Sequence, residues 1–563
     1  MMRRFIIIHQ ATTAAVFLSV LLLITTTPQV VQAQFPFDET NVRTYDGSDR
    51  LPVDNYGKAH ESLARLVPAF YPDDTGETIE STFNPRDVSN TVCAQDVTTL
   101  SDRGLSAMVW QFGQLLDHDI GLTEGGAAFG DASVSCNDQD DMFRQAGCDR
   151  VQFSRSEFTM VDSKREQPNM ITAFIDASFV YGSDATRATR LRTGTNGKMQ
   201  MTSTTKSRDL LMFNYANNPL PNAGGNSTTL FVAGDIRANE QVGLTSMHTL
   251  FVREHNRLAD LIQATWSDAT DEQIYQLARK IVGAEMQIIT YKEWLPALMG
   301  SDAPSLDDHS FSRSVDPRML TEFTTAIFRF GHSLLQPTLT LGYTKTATSS
   351  LPLRSAFFNP SFLSNTPENV DLLLGGLLMD RAQELDIFVT SEVRNFLFAI
   401  DADTPACLDL ATLNIQRGRD HGLPTYNMLR EAVGLSAMAD FASITKDTYV
   451  QALLHAAYGG DVNMVDAWVG ALAEDHRSGS SMGELATTMM QIQFTRLRDG
   501  DPFFFKGDLD FTNGNMQRIF DPNSFSFAKL LRDNTDIPSV ADNVFIITSD
   551  DSCGLGYLDV DVS

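Results

Sequence analysis

Between Leu105 and Leu116 the chain repeats apolar residues three and four positions apart, at Leu105, Met108, Val109, Phe112, Leu115 and Leu116. That spacing gathers them on one face of an α-helix and commits the segment to a buried position. Another face carries Gln111, Gln114 and His118 at intervals of three and four, with Asp117 three residues after Gln114. The helix therefore brings a polar edge, ending in Asp117-His118-Asp119, up against a core. A single histidine at a helix end is most cheaply a surface or capping residue, so this triplet acquires meaning only in company with other segments of the chain.

The same periodicity predicts further helices from Leu244 to Trp266, Glu272 to Met299, Pro317 to Leu335 and Ser480 to Leu497, while strand-like alternation is scarce and short. The expectation is a mainly α protein. No repeat, long linker or charge block divides the chain, and 563 residues at 42% hydrophobic content suffice for a large core, so one domain is expected over residues 34–563. The first 33 residues have the layout of a secretory signal: Arg3 and Arg4, an apolar run ending at Ile24, then small residues up to Ala33. Cleavage is expected after Ala33, which places the mature chain outside the cell, and the run from Ala14 to Ile24 is shorter than the roughly 20 residues of a membrane span. A net charge of −28 makes nucleic acid and anionic membranes poor partners.

Five cysteines, Cys93, Cys136, Cys148, Cys407 and Cys553, are few for an exported chain of this size. Cys136 and Cys148, closing a short polar loop, are the expected pair, and the odd count leaves at least one thiol over. One glycosylation sequon, Asn226-Ser227-Thr228, lies in a Gly/Asn/Pro-rich loop.

Four later segments carry chemistry. In Thr172-Ala173-Phe174-Ile175-Asp176-Ala177-Ser178, oxygen side chains alternate with apolar ones, and with a backbone carbonyl such as that of Phe174 they form a set suited to a hard cation such as Ca²⁺. The spacing is not that of an EF-hand, and an ordinary strand would look the same. Next come Gly234-Asp235-Ile236-Arg237-Ala238-Asn239-Glu240-Gln241, leading into a helix with Arg253-Glu254-His255-Asn256-Arg257, then Arg329-Phe330-Gly331-His332, and finally the run from Leu413 through Asn414 and Arg417 to Gly422. Singly, each charged residue reads as a surface pair and His332 as a buried helical histidine.

Taken in order, with Arg43-Thr44-Tyr45-Asp46-Gly47-Ser48 and Asn84-Pro85-Arg86-Asp87-Val88-Ser89-Asn90 before them, these segments resemble the animal haem peroxidase superfamily over nearly the whole mature chain. The resemblance implies a single large helical domain that binds haem b and Ca²⁺ and reduces hydrogen peroxide while oxidising a halide, a pseudohalide or a phenolic donor. It implies His118 as the distal base, with Gln114 beside it and Arg237 as the distal cation. His332 would bind the iron and donate from its other nitrogen to Asn414. Arg329 and Arg417 would meet the haem propionates. Asp119, Thr172, Phe174 by its carbonyl, Asp176 and Ser178 would hold calcium, bracing the neighbouring His118. Asp117 and Glu240 match the carboxylates that become esterified to haem, whereas Gln241 stands where a methionine would add a sulfonium link.

The chain also departs from that pattern. An early cysteine is missing, the loop between Cys136 and Cys148 is short, and Cys93 and Cys407 have no assigned partner, so disulfide connectivity stays open. Two other functions occur on similar scaffolds. Fatty-acid dioxygenases and cyclooxygenases use a radical tyrosine three positions before the proximal histidine, where this chain has Arg329. A silent matrix or adhesion protein would be free to lose His118 and Arg237, and both are present.

Overall fold

In the computed structural model, residue 35 and residues 41–547 are described, apart from 49–55, 80–81, 140, 205–208, 345–347, 400–403 and 513. The proposed signal segment with its Ala33 cleavage point, and Cys553, lie outside the described residues. The described residues group as one compact unit.

Five helices position the site: α1 (Met108–Ile120), α2 (Val242–Thr265), α3 (Asp271–Ile288), α4 (Leu410–Asp420) and α5 (Glu484–Asp499). The starts of α2, α3 and α4 are set by side chains that accept the first free backbone N–H groups. Gln241 caps α2 by accepting from Gly243 N at 2.6 Å. Thr270 and Gln273 form a reciprocal capping box on α3, and Asp409 accepts from Ala411 and Thr412 on α4. β-Structure among the described residues amounts to five two-stranded antiparallel sheets, so the mainly α expectation holds.

The stripe on α1 is buried, with Val109, Phe112, Leu115 and Leu116 each 0% exposed. Phe112 packs on Trp294, Phe527 and Phe545, which fastens α1 to the end of the α3 region and to the C-terminal segment. Beyond Ile288 the helix continues as a π turn, Ile289–Trp294, and a last helical turn, Leu295–Met299. The helix expected over 317–335 is broken. Thr321–Thr325 is α-helical and Ile327–His332 is a 3₁₀ turn, divided at Ala326, whose φ of −120° and ψ of −66° lie outside the helical range. Trp294 stacks on Phe330 and meets Phe328 edge-on, so burying both phenylalanines favours the tighter turn.

Cys148 is bonded to Cys407, 259 residues away, and not to Cys136. The 136–148 loop needs no bridge of its own, because Cys136 N donates to Asp149 O and Val134–Ser135 pairs with Arg150–Val151. The Cys136 thiol is buried in a small core with Val134, Phe143 and Val151, where burial pushes it up to about 11. Cys93 is also a buried free thiol.

Arg86 is 1% exposed. It donates to Asp141 at 2.8 Å and to Asp409 at 2.7 Å, tying the segment before α4 to an earlier loop. Replacing Arg86 by Ala leaves both carboxylates buried without their cation, and the expected loss is about 3–5 kcal/mol of stability. Denaturant unfolding checks this, and a loss below about 1 kcal/mol contradicts it.

Candidate active site

A cavity of about 320 Å³ lies between α1 on one side and the Ile327–His332 turn on the other. Gln114, Asp117, His118, Arg237, Glu240 and Gln241 form one wall, and Arg329 and His332 belong to the other. Leu353, Phe357, Leu397, Leu410 and Leu413 give the remaining surface an apolar lining.

On the first wall, His118 is 3% exposed. Its Nε2 lies 4.0 Å from Glu240 Oε2 and its Nδ1 3.6 Å from Asp235 Oδ1. Burial, followed by the nearby Arg237 cation, holds this imidazole well below the ordinary histidine range. It is neutral and free to accept a proton.

Asp235 grips Arg237 with both oxygens, at 2.9 Å to Nε and 2.8 Å to Nη2, and also accepts from Arg237 N at 2.7 Å. A forked guanidinium held on both sides has one orientation, and its remaining arm reaches Asp117 at 3.4 Å. Burial opposes the charge on Asp235, but Arg237 outweighs it and keeps this carboxyl well below the usual range. Asp117 and Glu240 open onto the cavity, with 38% and 30% of their side chains exposed. Burial pushes both up, Glu240 to about 7. Gln114 accepts from Gln111 and Gln241, which fixes its amide beside His118.

On the facing wall, burial, reinforced by Arg329, pushes His332 down to about 3, leaving a neutral ring suited to a metal. Its Nδ1 meets Asn414 at 2.8 Å, through Asn414 Nδ2. Asn414 Oδ1 accepts from Arg329 at 3.2 Å. The contact matches the expectation but runs in the opposite sense, because the amide donates to the ring. Burial pushes Arg329 down to about 10. Arg417 does not line the cavity. Its Nη1 donates to Ser156 and Asp420, and it lies over the Phe153 ring.

The candidate calcium residues come together. Asp119 Oδ2 accepts from Asp176 N and Ala177 N, each at 3.1 Å, while Ser178 Oγ donates to Asp119 and Thr172 Oγ1 to Asp176. Ala177 has a φ of 61°, the left-handed conformation that turns the loop back onto α1. Burial pushes both acids up, and Asp176 drives Asp119 further. The loop also abuts the Arg237 segment, since a Cβ on Gly234 would stand 2.2 Å from Ser178 O. Only glycine permits that approach.

Sequence reasoning missed three residues. Asp235 sits inside a segment singled out for Arg237, and its offset of two residues was the available signal. Gln241 was judged only for the sulfonium it cannot form, yet it holds Gln114. His248, on α2, reaches the back of His118 with ring centroids 6.3 Å apart, and nothing local marks it. The Arg253–Arg257 motif serves packing: His255 bridges Tyr181 and Gly197, and Arg257 pairs with Glu254.

A helical fold that brings two histidines and an arginine onto one cavity with an apolar lining is compatible with a metal-bearing planar cofactor. The animal haem peroxidase family model matches residues 42–545. Lactoperoxidase of Mesocricetus auratus is 34% identical, over 87% of this chain and 75% of its own. Thyroid peroxidase of Sus scrofa is 32% identical over 87% of this chain, which spans 58% of that relative's length. Among solved structures, peroxidase A of Dictyostelium discoideum superposes with a TM-score of 0.81 at 30% identity, covering 90% of this chain and 99% of that one. A fatty acid alpha-dioxygenase of Arabidopsis thaliana, with a TM-score of 0.73 at 19% identity, shares the fold. The chain belongs to the animal haem peroxidase family and is a haem peroxidase.

Proposed function

We propose that residues 34–563 form a secreted peroxidase domain, released by removal of residues 1–33, which reduces hydrogen peroxide at a haem b and oxidises a halide, a pseudohalide or a phenolic donor. One observation carries this reading: His118, Arg237 and His332 line a single cavity, with the Arg237 guanidinium fixed by Asp235. No described helix is long and apolar enough to cross a membrane.

The residues present fit a haem. A neutral imidazole stands on one wall for the iron, the flanks are apolar for the macrocycle, and Arg329 lies at the edge for a propionate. When bound, haem supplies the redox chemistry. His118 then takes a proton from peroxide and returns it to the departing oxygen, while Arg237 stabilises the negative charge that develops there. For His332 to bind iron through Nε2, its Nδ1 must carry the proton, so the Asn414 amide turns to present Oδ1. That rotation would free Arg329 from Asn414, and Arg329 would then be available to hold a propionate. Arg417, near enough to repel Arg329, is the proposed second partner of the propionates.

Asp117 and Glu240 are the proposed ester partners of the haem, leaving Gln241 without a link. The test loads the purified protein with haem and adds hydrogen peroxide with iodide or a phenol. Donor oxidation that requires both haem and peroxide is expected, and afterwards acidic solvent should leave the haem on the protein. No donor oxidation would overturn the enzymatic reading, and complete extraction would overturn the esters.

Calcium is the proposed occupant of the Asp119, Thr172, Phe174, Asp176 and Ser178 loop, where it would relieve two crowded buried carboxylates. A ligand that binds only the folded state adds about 2.7 kcal/mol at 100 times its Kd. Chelation is therefore expected to lower both the Tm and the activity, and readdition of Ca²⁺ to restore them. A Tm unmoved by exhaustive chelation contradicts the site.

A further inference from the structure

Behind His118 the structure leaves two buried ring nitrogens without a hydrogen-bond partner, His118 Nδ1 and His248 Nε2. The two rings lie 6.3 Å apart between centroids, and both residues are buried, His248 at 0% exposure. A buried polar nitrogen without a partner is costly, so such atoms normally find a protein group or an ordered water.

The protonation of each ring follows from its other nitrogen. His248 Nδ1 lies 3.2 Å from Phe179 O. A carbonyl only accepts, so this nitrogen carries the hydrogen and the orphaned Nε2 of His248 presents a lone pair. Phe179 O also accepts from Asp235 N at 3.1 Å, which places His248 and the Arg237 segment on one anchor. On the reading of His118 as the base, its cavity-facing Nε2 must hold a lone pair, and its Nδ1 must then be a donor. The two orphans are therefore a complementary donor and acceptor. A third polar group is at hand, because Asp235 Oδ1 lies 3.6 Å from His118 Nδ1. A water between them would accept from His118 and donate to His248 and Asp235, within the two to four partners a buried water ordinarily has.

We infer that His248 is a positioning residue for the peroxide reaction: through one buried water shared with Asp235 it receives the Nδ1 hydrogen of His118 and so keeps the Nε2 lone pair directed into the cavity. Without His248 the water keeps only Asp235, which is already engaged by Arg237, so the Nδ1 hydrogen is held less firmly and the other tautomer, with a hydrogen where the base is needed, gains population. This inference rests on the proposed role of His118.

The test uses the haem-loaded protein and cyanide, which binds haem iron as hydrogen cyanide gives up its proton and involves no oxidation. In His248→Leu, cyanide association is expected to slow about 10- to 100-fold at unchanged haem content, as for other losses of a histidine-orienting partner. In His248→Gln, whose side-chain oxygen accepts, it should stay within about threefold of the parent. A Leu variant as fast as the parent, or a Gln variant as slow as Leu, overturns the inference. His118→Ala is measured alongside: slow binding there with normal binding in His248→Leu refutes the positioning role, whereas parent-like binding in His118→Ala refutes the base assignment beneath it. Should the Leu variant fail to fold, a high-resolution crystal structure of the parent decides. Water bonded to both nitrogens is expected, and its absence overturns the inference.

Discussion

Replacing His332 by Ala is expected to abolish stable haem binding, so that the purified variant lacks a Soret band that the parent displays. His332 lines the same cavity as His118, its ring is neutral, and Asn414 holds its Nδ1 at 2.8 Å. Other described histidines are engaged elsewhere: His255 bridges Tyr181 and Gly197, and His421 bridges Thr325 and Ser156. Among the described residues, no histidine besides His118 and His332 lines that cavity. Haem content after reconstitution checks this expectation, and full occupancy with a parent-like Soret band contradicts it.

Replacing His118 or Arg237 by Ala is expected to have a different consequence. Haem still binds, because His332 is untouched, but the first spectral change after mixing with peroxide slows by about 10²- to 10⁴-fold, the usual contribution of a positioned acid or base. Arg237→Ala also strips Asp235 of its bidentate partner, so the effect includes a buried carboxylate left without its cation. Lys at position 237 restores the charge without the fork and is expected to recover part of the rate. Stopped-flow rates within about threefold of the parent in both Ala variants would contradict the proposed roles.

The parts legible in the sequence are those where one element carries its own signal. The stripe from Met108 to Leu116 could be read because a single helix both buries it and presents His118. The ordered motifs led to the cavity because its two walls come from contiguous runs, 114–118 with 237–241 and 329–332. The break at Ala326 was not legible, since the apolar spacing of Phe323, Ile327 and Phe330 also suits a continuous helix. The 3₁₀ turn has a functional consequence, for residues three apart eclipse in that geometry and Arg329 and His332 share the cavity wall. The Cys148–Cys407 bond, the Asp235 clamp and the approach of His248 depend on contacts between remote segments, about which local pattern is silent. The Asn414 contact was expected, but not its sense, because the amide answers to Arg329 as well as to His332.

The central claim is that His332 binds the iron of a haem lying in the cavity beneath His118. Resonance Raman spectroscopy of the reduced, haem-loaded protein tests it most directly, by comparing samples with ordinary and ¹⁵N-labelled histidine. The expected result is an iron–nitrogen stretching band that shifts on labelling and is lost in His332→Ala. A band insensitive to the label, or one that survives the substitution unchanged, would contradict it.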